Sequence, residues 1–189
     1  MRERKQKYQP YREWYFDGYT RQDVTDPKTG KVRSELVYHG DYYTYQTEDP
    51  RGYRILVGGL MLLSLACVIL IWVLPGAVSK GWAGIVNLVL IVPILFLLVC
   101  TGHFVFQKLP LTHRQIHAGY YEMCKWVTWN FMLCVVIFLL NLLFLILNRE
   151  TIDLKQDIWP IILLAVHIAA NRVWNFQLKK KYPVKTGSV

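Results

Sequence analysis

Four long apolar runs dominate the chain after residue 54, at positions 55–74, 85–106, 126–147 and 158–176. An α-helix rises about 1.5 Å per residue, so about 20 apolar residues cross the ~30 Å hydrocarbon core of a bilayer. Each run has that length. The pattern therefore predicts an all-α membrane protein, with a bundle of four transmembrane helices over residues 55–178.

The segment before the first run, residues 1–54, is polar, and the pattern of its apolar side chains differs from that of the four runs. Aromatic and β-branched side chains recur on both sides of residues 25–31, which favours strands. Within that stretch Asp26 can start a turn, Pro27 presets φ, and Gly30 can take the left-handed conformation that closes it. We therefore predict an N-terminal cytoplasmic β-hairpin over about residues 14–46.

The distribution of basic residues predicts the orientation in the membrane. Eleven Lys and Arg precede the first apolar run, three lie between the second and third runs, and the tail at 179–189 is basic. The other two loops hold few basic residues, so the positive-inside rule predicts a multi-pass protein of the cell membrane with both termini in the cytoplasm. The formal net charge of +9 then reflects topology, and we expect no nucleic-acid partner.

Polar side chains recur inside the apolar runs, where they are costly and face the bundle interior. Offsets of 4 and 11 residues place those of the third run on one helical face, and those of the fourth run recur every four residues. We predict that they form an interhelical polar network, at about 0.6 kcal/mol per hydrogen bond. Its members are Asn87, Asn130, Asn141, His167, Asn171 and Asn175. An alternative is an oligomeric small transporter or channel built around these faces.

The predicted hairpin needs support from outside itself, because two strands alone are marginally stable in water. The membrane surface, the loop between the second and third runs, or another subunit could supply that support. Tyrosines combine an apolar ring with a polar tip and suit a wet interface. The candidates for partner binding are Tyr19, Tyr38, Tyr42, Tyr43 and Tyr45.

The loop between the second and third runs contains the one group of residues that could be catalytic. His113 and His117 are spaced i, i+4, but no third ligand is well placed, so we expect no metal site and no other cofactor. His117-Ala118 followed by Cys124 resembles the motif of the AgrB family of membrane cysteine endopeptidases. The resemblance covers about a dozen residues and implies His117 as base and Cys124 as nucleophile. Gln115-Ile116 stands where that family has a glycine pair.

The marginal hairpin, the tyrosine-rich surface and the lack of Asp or Glu within the four apolar runs favour a non-enzymatic role. We expect a non-catalytic accessory or assembly subunit of a larger membrane complex, with the lipid bilayer and a partner subunit, or further copies of the chain, as its partners. The cysteine endopeptidase and the oligomeric transporter or channel are the alternatives.

Overall fold

The structure is a computed structural model that describes residues 18–25, 30, 32–74, 76, 78, 81–150 and 153–187. Across these residues the chain is mostly helical, and four helices are long and apolar enough to cross a membrane. They are Pro50–Val73, Trp82–Phe106, His113–Leu147 and Lys155–Lys180. The prediction of four long apolar helices and a small N-terminal β-hairpin is confirmed.

The four candidate spans are built from six helical segments, two of the spans being interrupted. In chain order the elements of the described residues are β1 (Tyr19–Thr25), β2 (Val32–Tyr38), β3 (Tyr42–Tyr45), α1 (Pro50–Val73), α2 (Trp82–Leu88), α3 (Ile91–Phe106), α4 (His113–Ile116), a π-helical turn (His117–Tyr121), α5 (Glu122–Leu147), α6 (Leu154–Lys180) and β4 (Pro183–Gly187). The second span comprises α2 and α3, and the third runs from α4 through α5.

Helix α1 begins five residues before the apolar run that predicts it. The Asp49 side chain accepts a hydrogen bond from the Gly52 N–H at 2.9 Å, which caps the helix start. Pro50 occupies the first turn, where its missing N–H costs no intrahelical bond. These start signals extend the helix by more than one turn beyond the membrane-length run, and Arg51 and Arg54 lie in that extension.

The second span breaks at Val89 and Leu90, one turn before Pro93. Proline has no N–H, and its ring clashes with the carbonyl four residues earlier, here that of Val89. The N–H groups of Val89 and Leu90 instead bond to carbonyls three residues back, each at 3.2 Å. The chain tightens locally and then continues as α3, so the break lies where the proline predicts a kink.

Each of the long helices contacts two others. Helix α1 packs against α3 and α6, and α5 packs against the same two helices. One buried cluster draws side chains from all of them, including Val57, Leu97, Val127 and Leu164. The side chains that face away from this cluster are mostly large and apolar, as expected for surfaces that contact lipid.

The N-terminal strands form two small sheets rather than a single hairpin. Strands β1 and β2 pair antiparallel from Tyr19–Tyr38 to Thr25–Val32. Gly30 has φ of 63°, the left-handed conformation that the sequence predicts, whereas Asp26 and Pro27 lie outside the described residues. Strand β3, which falls within the predicted hairpin range of 14–46, pairs instead with β4 of the tail.

The pairing of β3 with β4 joins the two ends of the chain. Tyr45 lies opposite Pro183, and Tyr43 lies opposite Lys185. The Tyr43 backbone also exchanges two hydrogen bonds with Leu111, both of 2.9 Å, in the connection between the second and third spans. The basic tail predicted at residues 179–189 therefore contains a strand, and this strand contacts the N-terminal segment.

Candidate functional site

Strands β1 and β2, which we call the ribbon, are attached to the helices at one end. The Tyr19 hydroxyl donates to Thr112 Oγ1 at 3.1 Å, and the His113 N–H donates to the Tyr38 hydroxyl oxygen at 3.2 Å. Thr112 is the N-cap of α4, and its side chain forms a capping box with Gln115. The base of the ribbon is thus bonded to the start of the third span.

Tyr38 is the central residue of this base. Its ring lies 4.8 Å from that of Tyr19 and 5.2 Å from that of Tyr42, between centroids, and its hydroxyl donates to the Asp41 carbonyl at 2.7 Å. Partial burial raises the pKa of the Tyr38 hydroxyl, since an ionised phenol would lose solvation there. Tyr38 therefore stays neutral at physiological pH and donates to the backbone carbonyl.

Tyr45 lies deeper than the other tyrosines proposed for partner binding. It is 5% exposed, and its ring packs against those of Tyr53, Phe104 and Tyr120 at centroid distances of 5.7, 4.9 and 6.3 Å. Burial strongly raises the pKa of its hydroxyl. Tyr45 therefore anchors β3 to α1, α3 and the π-helical turn, whereas Tyr19, Tyr38, Tyr42 and Tyr43 are half-buried.

The outer part of the ribbon is exposed on both faces. Every residue of β1 after Tyr19 is exposed, and three apolar side chains nearby expose large fractions: Val24 40%, Val32 64% and Leu36 52%. Val32 and Leu36 are four residues apart in one strand, so they share a face. Tyr38 lies on the same face, two residues further on. On this face Val32 and Leu36, which we call the apolar strip, lie on either side of Ser34, with Thr25, Asp23 and Arg21 opposite them in β1.

A charged contact supports the pairing of the tail with the N-terminal segment. Lys185 Nζ lies 2.6 Å from Asp41 Oδ2, and this carboxylate raises the pKa of Lys185 above its ordinary value. Both groups are well exposed, so the pair contributes little to stability. The contact places Lys185 of β4 beside Asp41, whose backbone carbonyl accepts the hydrogen bond from Tyr38 at the ribbon base.

The buried polar side chains meet in two clusters between the helices. Asn130 Nδ2 lies 3.1 Å from His167 Nε2 and donates to Asn171 Oδ1 at 3.0 Å, which joins α5 to α6. Asn141 donates to Asn87 Oδ1 at 2.9 Å, which joins α5 to α2. The amides therefore satisfy one another across helix interfaces.

Asn175 lies outside these two clusters. Its side-chain amide donates to Thr128 Oγ1 at 3.4 Å on the exposed rim of the same helix pair. All six residues proposed for the interhelical network thus contact a polar group of another helix, and five of them belong to the two buried clusters.

His117 and Cys124 lie two helical turns apart on one continuous helix. Seven residues correspond to about 10 Å along an ideal helix axis, which is too far for a direct hydrogen bond between the two side chains. Cys124 instead interacts with Tyr120, whose hydroxyl donates to the Leu178 carbonyl at 2.6 Å in a buried position. The geometry does not assemble the base and nucleophile that the AgrB resemblance implies.

Asp157 is a buried polar residue that the sequence pattern does not reveal. It is 1% exposed near the start of α6, and its carboxylate accepts a hydrogen bond from the Val78 N–H at 3.1 Å. A side chain at Gly76 would collide with the same carboxylate. Asp157 thus anchors the connection between the first two spans, across 79 residues of sequence.

Among the described residues, no three His, Cys, Asp or Glu side chains come together in a way that could hold a metal ion. No protein family, curated protein or solved structure matches the chain. The ribbon, with its exposed apolar strip and anchored base, is the strongest candidate for a functional surface.

Proposed function

We propose that this chain is a non-catalytic accessory or assembly subunit of a larger membrane complex. In this proposal the four helices form a transmembrane bundle, both termini face the cytoplasm, and the ribbon docks on a partner subunit. The observation that carries the proposal is the exposed apolar strip of Val32 and Leu36 on a ribbon whose hydrogen bonds to the helices, among the described residues, lie at its base.

Contact with a partner that covers the ribbon would be favourable in free energy. An isolated two-stranded ribbon is marginal in water, and its outer edges have unpaired backbone groups. Complete burial of a Val or Leu side chain contributes about 1.5–3 kcal/mol, so covering these half-exposed residues would contribute about 1 kcal/mol each. A partner could add a strand to the ribbon edge or cover its apolar face.

The contacts at the base support a role in positioning the ribbon. Tyr19 and Tyr38 bond to residues at the start of the third span, and Tyr45 is buried among the helices. These tyrosines hold the ribbon at a defined place on the bundle, while Leu36 and Val32 extend away from it. Binding of a preoriented surface loses less conformational entropy than binding of a mobile segment.

Purification in mild detergent with a tag on the chain tests this proposal. We expect a heteromeric complex of fixed stoichiometry, which Leu36→Asp disrupts because it places a charge in the apolar contact. Glu35→Gln is the matched control, because Glu35 is exposed on the opposite face of the same strand. A protein that is purified only as a homo-oligomer, unaffected by Leu36→Asp, would favour the transporter or channel instead.

A further inference from the structure

A groove runs along the surface between α1 and α3, on the side that faces lipid in a membrane. Its volume is about 200 Å³ and its walls are almost entirely apolar. Gly58 makes room for it, because a Cβ there would lie 3.8 Å from Val105 Cγ2, in ordinary contact. The other principal lining residues are Met61, Leu62, Leu98, Gly102 and Phe106.

Two arginines lie at the end of the groove nearest the β-strands. Arg54 precedes Gly58 by four residues and Arg51 precedes it by seven, so all three lie on one side of α1. Helical side chains lean toward the N-terminus, which directs both guanidinium groups toward the membrane surface. The groove walls are apolar, and helical periodicity places two cationic residues of α1 beyond them, toward the β-strands.

Within the described part of the chain, the Arg54 guanidinium forms no ion pair. Its Nε and Nη2 atoms are enclosed and have no hydrogen-bond partner among the described residues. The ion pairs of those residues join Lys125 to Glu122 and Lys185 to Asp41, and neither pair includes Arg54. Enclosing a cation without a partner is costly, and a planar guanidinium suits the oxygens of a phosphate.

From this arrangement we infer that the groove binds an anionic glycerophospholipid of the leaflet next to the β-strands. The phosphate and the anionic headgroup contact the exposed Arg51 and the accessible part of the half-buried Arg54 side chain, and one acyl chain lies in the groove over Gly58 and Gly102. An anionic lipid combines a negatively charged headgroup with apolar acyl chains in one molecule. Its headgroup would lie at the depth of the arginines and its acyl chain at the depth of the apolar groove walls. A transmembrane helix would need its own anion at that depth to match them.

Lipid titration followed by native mass spectrometry tests the inference. The delipidated protein in detergent receives palmitoyl-oleoyl phosphatidylglycerol or the zwitterionic phosphatidylcholine with the same chains. We expect one phosphatidylglycerol per chain, bound about tenfold more tightly than phosphatidylcholine, since a charge-assisted hydrogen bond contributes more than a tenfold step requires. Arg54→Gln should remove this preference, and Gly58→Leu should weaken both lipids by filling the groove.

Two control variants with changes outside the groove test whether the effects on lipid binding are specific to the groove. Gly59→Leu adds the same side chain about 100° further around α1, where nothing lies within 4 Å of the new Cβ. Lys180→Gln removes an exposed charge from the end of α6. Both should bind like the unmodified protein, and circular dichroism should show equal helix content in all variants. The inference would be overturned by equal affinity for the two lipids or by unchanged binding in both Arg54→Gln and Gly58→Leu. Disulfide cross-linking of two copies through cysteines at Leu62 would also overturn it.

Discussion

At the residue scale, helical periodicity accounts for the polar groups that meet between helices. Asn130 and Asn141 lie on one face of α5, and each bonds to a neighbouring helix. Their burial follows from the sequence, because offsets of 4, 7 and 11 residues share a helix face. Asp157 and Tyr38 could not be assigned in this way. Their backbone partners, Val78 and His113, lie 79 and 75 residues away along the chain.

The bond between Asn87 and Asn141 should show measurable coupling. We predict an interaction energy of about 0.6–1.7 kcal/mol in a double-mutant cycle of Asn87→Ala and Asn141→Ala, measured by unfolding in mixed micelles. Asn87 and Asn171 belong to different clusters, so a cycle on that pair is the control and should give an energy near zero. Equal coupling in both cycles would contradict the assignment of two separate clusters.

At the element scale, the helices were easier to predict than the strand pairing. Apolar length predicts four spans, and Pro93 predicts the break in the second of them. The pairing of β3 with β4 has no local signal, because Tyr43 and Lys185 are far apart in sequence and β4 is only five residues long. The π-helical turn also depends on a distant contact. Gly119 lets it approach the Phe104 backbone, where a Cβ would lie 3.4 Å away.

The turn of the ribbon should depend on the conformation of Gly30. Gly30→Val should cost about 1 kcal/mol or more, because a β-branched residue resists a positive φ. A Cβ at Gly30 meets nothing within 4 Å, so the penalty comes from the backbone alone. Amide hydrogen exchange in β1 and β2 should accelerate accordingly. Gly30→Asn is the control and should be nearly neutral, since Asn tolerates this region; equal acceleration in both variants would exclude the backbone explanation.

At the scale of the whole molecule, the length of the apolar helices and the distribution of basic residues together predict how the protein lies in a membrane. The four apolar helices indicate a membrane-embedded protein, and the excess of Lys and Arg at the two ends and in the middle loop predicts which side they face. The pairing of β4 with β3 brings the segment after the fourth span against the segment before the first, so these two segments lie on the same side of the helices. The identity of a partner could not be predicted, because specificity depends on surfaces that this chain does not contain.

The orientation can be measured by labelling single cysteines in intact cells, in a background without the four native cysteines. An impermeant maleimide should modify cysteines at Ser79 and Thr151, which we place outside, and should not modify those at Ser34 and Ser188. Permeabilised cells supply the control, in which all four should react. Labelling at Ser34 from the outside would reverse the orientation and place the ribbon on the outer surface.

The central claim is that the ribbon docks on a different membrane protein through its exposed apolar strip. Photo-crosslinking in intact cells tests this most directly, with a benzophenone amino acid at Leu36 or, on the opposite face, at Glu35. We predict a specific adduct with one other protein from Leu36 and a much weaker one from Glu35. Equal adducts from both positions, or an adduct only with a second copy of this chain, would contradict it.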